Sequence, residues 1–271
     1  MAADSLEKSP TNKRVSRAVS YVSDYWFPVN EELLGKIKSG LRDGRYDNAV
    51  DELVYEIKSD LSLFTYSIGK LVQKLKEKGA ELNGTLNPLS ALRQAGIEQL
   101  REILEEASDD LSAHNLRQAD DLQAARFKEV LISASSAEML AEKFEVDGDT
   151  AFSAAVLRQL GYVLIAWNYP GQYREAVNSL EKGDNLDFKL AERLGFSPTL
   201  LAIRVLQSWG LTSVSCASVG LVDDLEEEEW EILEGIGENV TALCKIGETL
   251  ARASAPEIYP DARGELQLAK R

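Results

Sequence analysis

Apolar residues recur at intervals of three and four along almost the whole chain, and that spacing commits it to helices. Leu33, Leu34, Ile37 and Leu41 set the period early, and Leu61, Phe64, Ile68, Leu71 and Leu75 continue it. Leu225, Ile232, Leu233, Ile236, Val240, Leu243 and Ile246 carry it near the end. One stretch is open to a strand reading: SVSCASVGLVDDL, at 213–225, is rich in small and β-branched residues. Isolated among helical segments, it reads as a tightly packed helix.

Starts and stops fit the same picture. Asn30 is placed to cap a helix, as is Asp60 or Ser59. Pro198 fits the first helical position after Ser197, and Gly79 and Gly210 are stops. A helix pair following Asn87 breaks near Gly96, and a longer helical stretch covers about 118–144. The turn VDGDT, at 146–150, divides the chain into halves. The expected organisation is a flexible polar tail over 1–24 and a helical domain over 25–222, with lobes of about 25–145 and 146–222. Residues 223–271 would then form an acidic-start helix and an irregular, proline-containing tail.

Composition narrows the function. An apolar fraction of 44% in 271 residues is ample for a core. The formal net charge of -15 sets up a field that repels phosphate backbones, which argues against nucleic acid as the main partner. Two cysteines, Cys216 and Cys244, cannot make a disulfide framework and read as buried, reduced thiols. No apolar run approaches the roughly 18 residues of a membrane span, and the first residues lack the apolar core of a secretory signal. The expected setting is the cytoplasm.

Few motifs carry chemistry. His114 is the sole histidine, in a polar stretch that reads as surface. There is no GxSxG nucleophile elbow. GIGENV lies in a helical pattern and lacks the strand that a dinucleotide loop follows. Asp223, Asp224 and the run Glu226–Glu229 would point around a helix and not at one metal. Lys70, Lys74, Lys76 and Lys78 read as a solvated helix face. The informative stretch is VLRQLGYVLIAW, at 156–167, where Arg158 and Gln159 interrupt an otherwise buried helix.

That stretch, the PGQY turn at 170–173, the Leu194-Gly195-Phe196 step and the helix ending at Trp209 resemble the HD-related output domain, or HDOD, family. DELVYEIKSDLSLFTYSIGKL and NPLSALRQAGIEQLREI resemble its earlier helices, with Leu61 where the family has proline. The resemblance spans about residues 30–222 and implies an all-α, two-lobed helical bundle. Catalytic relatives in the wider HD superfamily carry adjacent His and Asp on the later helix, binding metal for phosphoester hydrolysis. Arg158 and Gln159 stand there in this chain, and Glu129 stands at the histidine place of the preceding helix. The later histidine places fall near Pro198 and 221–223. The resemblance therefore implies a degenerate metal site with no cofactor, and in its place either an ion pair between Glu129 and Arg158 or an Arg158 side chain that reaches out to solvent.

The expected function is a stand-alone, non-catalytic signalling or regulatory module that binds a signalling protein partner, with a small ligand between lobes as an addition. Two alternatives stand beside it. One is a phosphohydrolase with carboxylate metal ligands. The other is a nucleotide or cyclic-dinucleotide sensor using the Arg158 cation and the faces of Tyr162, Trp167 and Tyr173.

Overall fold

The structure is a computed structural model that describes residues 10–79, 87–107, 111–212, 216, 220–221, 236–260 and 262–269. The described residues are helical, with no strand among them. The chain runs through α1 (Pro10–Tyr25), α2 (Glu31–Arg42), α3 (Val50–Lys58), α4 (Leu61–Glu77) and α5 (Pro88–Glu106). It continues through α6 (Asp121–Leu140), α7 (Gly148–Asn168), α8 (Pro170–Asn178), α9 (Leu186–Leu194) and α10 (Pro198–Trp209). Beyond the undescribed segment 222–235 come α11 (Ile236–Ala253) and α12 (Ala262–Ala269).

The expected caps are formed and linked. Asn30 Oδ1 accepts from the Leu33 amide at 3.1 Å, starting α2. Asp60 Oδ1 accepts from Leu63 N at 2.8 Å, starting α4, while its Oδ2 accepts from Asn30 N at 2.8 Å. One carboxylate thus ties the starts of two helices, and burial pushes its pKa up. Ser197 caps α10 with Pro198 in its first turn. At Gly96 a φ of 76° kinks α5, a conformation glycine adopts without the Cβ clash other residues meet.

The α7 helix is buried on nearly every side, as expected of a helix apolar around its circumference. It is long and apolar enough to cross a membrane, but 83% of its apolar window is enclosed by the rest of the fold, which makes it the central core helix. Helix α6 packs along it, and α10 approaches at Gly161, where a Cβ would sit 1.9 Å from the Pro198 carbonyl oxygen. Helix α11 then lies along α6, with Gly247 against the Ser133 backbone. One hydrophobic cluster runs from Val15 to Ala262, so the two lobes share a core and the turn at 146–150 separates no cores.

Several expectations change. Residues 10–24 of the expected flexible tail are helical: Val15, Ala18 and Val22 form a buried stripe on α1, which packs on α10. The C-terminal tail turns through 254–260 and then forms α12 instead of remaining irregular. His114 is half-buried, not a surface residue. Its Nε2 lies 3.3 Å from Asn168 Oδ1, and its ring is 5.7 Å from that of Trp167. The acidic run at 223–231 and nearly all of the 213–225 stretch lie outside the described residues, while Cys216 within that stretch is buried.

Candidate functional site

Helix α6 holds a buried guanidinium against α7 and the C-terminal segment. Arg126 and Glu129 lie one turn apart on α6, and both side chains are 5% exposed. Arg126 Nη2 meets Glu129 Oε2 at 2.6 Å. The guanidinium also donates from Nε to Tyr173 Oη at 2.9 Å, from Nη2 to Tyr259 Oη at 2.5 Å and, at a longer 3.4 Å, from Nη1 to Gln159 Oε1. It lies 5.0 Å from the Tyr162 ring centroid. Tyr259 in turn donates to Glu129 Oε2 at 3.1 Å, closing the ring of contacts.

Burial alone would lower the Arg126 pKa. The Glu129 carboxylate, with Tyr173 and Tyr259, outweighs it and drives the pKa well above the ordinary arginine value. Burial pushes both tyrosines up, so they remain neutral hydroxyls. Cys244 on α11 is pushed up to about 12, also by burial, which makes it a poor nucleophile at neutral pH.

Arg158 faces a different partner from the one expected. Its Nε meets Glu248 Oε1 on α11 at 3.0 Å, and its Nη1 donates to the Gly220 carbonyl. The expected pair of Glu129 with Arg158 is replaced by two pairs, Arg126 with Glu129 and Arg158 with Glu248. The cause is connectivity: α11 supplies a carboxylate to Arg158, and α6 supplies a guanidinium to Glu129 from its own preceding turn.

The other expected positions separate into two groups. Gln159, Tyr162 and Tyr173 gather around Arg126 with Glu129. Tyr162 also donates to Asp187 Oδ1 at 3.1 Å, and burial pushes the Asp187 carboxyl up. Trp167 stands apart, its ring 5.4 Å from Phe127 in an aromatic cluster of the core. Pro198 serves the α10 start, Leu221 is buried, and 222–223 lie outside the described residues. Sequence reasoning missed Arg126, Glu248 and Tyr259. The spacing of Arg126 and Glu129 on one helical face was the available signal.

A cleft of about 300 Å³ opens above this network. Arg126, Glu129, Gln159 and Tyr162 form one wall, the 180–186 segment another, and Glu248, Ala251 and Tyr259 close it from the C-terminal side. Among the described residues, no three His, Cys, Asp or Glu side chains gather where a metal ion would be held. The set at the helix positions discussed above is one carboxylate, one amide and two guanidinium cations. Guanidinium has no lone pair to give and repels a divalent ion, so these residues do not fit a metal. They suit hydrogen bonding to a bound molecule.

No curated protein matches the chain in sequence. Among solved structures it is similar to the MmoQ response regulator of Methylococcus capsulatus str. Bath, at 20% identity and a TM-score of 0.58 over 87% of this chain and 92% of that one. A weaker likeness, 13% identical with a TM-score of 0.44, covers 94% of this chain and 87% of a Shewanella amazonensis SB2B protein provisionally assigned as a phosphohydrolase. The sequence pattern of the HDOD domain matches residues 86–224. That segment contains α5 to α10 and with them Arg126, Glu129, Arg158 and Gln159. By that match over half its length, in an all-helical fold, the chain belongs to the HDOD domain family.

Proposed function

We propose that this protein is a non-catalytic regulatory module of a signalling system in the cytoplasm, acting by binding a protein partner, with a degenerate HD metal site. The observation that carries the reading is the buried guanidinium of Arg126, 2.6 Å from Glu129 at the place where the catalytic relatives implied by the resemblance hold metal. A cation fixed there competes for the same carboxylate that a metal would need. Arg158 and Gln159, at the His-Asp step, are spent on Glu248, Gly220 and Arg126. Membership of an output-domain family accords with this reading, as does a shared fold with a response regulator.

The test has two arms. Purified protein is assayed with Mn²⁺, Mg²⁺ or Fe²⁺ against phosphomonoesters, phosphodiesters and cyclic dinucleotides, and no turnover is expected. Metal-dependent turnover abolished by Glu129→Gln would establish the phosphohydrolase alternative instead. In the second arm, tagged protein is cross-linked in its own host, with recovery of a reproducible protein partner expected. Recovery of none under any signalling stress would contradict the binding role.

A further inference from the structure

Glu129 is 4% exposed, and its two oxygens are treated unequally. Oε2 receives Arg126 Nη2 and the Tyr259 hydroxyl, whereas Oε1 is buried and receives no donor from the described residues. A buried carboxylate oxygen without a donor is costly, because the water it gave up is not replaced. The neighbouring donors are committed elsewhere. Arg126 Nε goes to Tyr173, Gln159 Nε2 goes to the Ala155 carbonyl, and the Tyr259 hydroxyl goes to Oε2. Glu129 lines the 300 Å³ cleft, and an occupant of that cleft can supply a donor.

The remaining walls describe that occupant. Leu180, Leu186 and Ala251 offer apolar contact beside the buried carboxylate. The exposed rim carries Glu181 and Asp184, the latter also 3.0 Å from Lys189 Nζ. Glu248 is a further carboxylate of the wall, held by Arg158, and among the described lining residues Arg252 is the cation besides Arg126. Arg126 is already engaged by four groups, so an incoming phosphate would meet carboxylates and an occupied guanidinium. A cation with an aliphatic stem matches an acidic end, an apolar middle and an acidic rim.

We infer that the cleft between Glu129 and the 180–186 segment binds a short aliphatic amine or guanidine, its N–H donors meeting Glu129 Oε1 and its other end at the Glu181 rim. This deepens the binding role proposed above and rests on that non-catalytic reading. The ligand would act as the signal that the module transmits to its partner.

Isothermal titration and thermal melting of the full chain with agmatine and putrescine test it, with inorganic phosphate and GMP as anionic comparators. Saturable binding of agmatine or putrescine that raises the melting temperature is expected, with no rise for phosphate or GMP. In Glu129→Gln the amide oxygen keeps Arg126 and Tyr259 while its NH₂ faces the ligand's own donors, so binding is lost. Glu181→Lys, an exposed change that leaves folding intact, weakens binding by about tenfold or more. If Glu129→Gln does not fold, Glu181→Lys decides the matter. No binding of either cation, equal binding by both variants, a larger shift with phosphate, or a structure showing only water at Oε1 would each overturn the inference. Those results leave the non-catalytic reading intact, whereas metal-dependent hydrolysis would remove that reading first.

Discussion

The Arg126 guanidinium and the Glu129 carboxylate meet at 2.6 Å one turn apart on α6, in a core where both side chains are 5% exposed. Two tyrosines from distant segments, Tyr173 and Tyr259, complete the shell. Charges this deep persist because each is paired and hydrogen-bonded.

Removing one partner exposes that dependence. Arg126→Met leaves Glu129 charged and buried, which costs about 3–5 kcal/mol. The double variant Arg126→Met/Glu129→Met loses less than Arg126→Met alone, because no charge is stranded. Urea denaturation of wild type, Arg126→Met, Glu129→Met and the double variant checks this. A double variant whose loss equals the sum of the singles would mean the two side chains are uncoupled.

Close packing at Gly161 makes a second prediction. A Cβ there would stand 1.9 Å from the Pro198 carbonyl oxygen, a backbone atom that cannot rotate away. Gly161→Ala therefore forces α7 and α10 apart and destabilises by about 3 kcal/mol. A melting temperature unchanged from wild type would show that the helices are not in register there.

Acid sensitivity is predicted at Glu56, far from the cleft. Burial pushes its pKa up, but Tyr46, Lys36 and Arg45 outweigh burial and hold it below the ordinary glutamate value. A folded pKa below the unfolded one gives stability that is present above the unfolded value and lost as pH falls through the folded value. Tyr46 donates to Glu56 Oε2 at 2.8 Å. Tyr46→Phe should cost about 1.5–3 kcal/mol at neutral pH, and its gap from wild type should narrow below pH ~4. Chemical denaturation across that range is the check, and a gap that widens on acidification would contradict the assignment.

Much of the fold was legible because it rests on local signals. Asn30, Asp60 and Ser197 cap helices from their own first turns, and Gly96 kinks α5 where the apolar period falters. Helix α1 escaped notice because its buried stripe is only Val15, Ala18 and Val22 among polar residues, and the burial comes from α10. The pairing in the site was not legible: Glu248 reaches Arg158 across 90 residues and Tyr259 reaches Arg126 across 133. Contacts at such separations leave no periodic trace in a single sequence.

If the Arg126 guanidinium takes the place of a metal, as proposed, reduced protein equilibrated with excess Mn²⁺ or Fe²⁺ and then desalted retains only trace metal per chain, unchanged in Glu129→Gln. One tightly held ion per chain, lost in Glu129→Gln, would contradict the proposal.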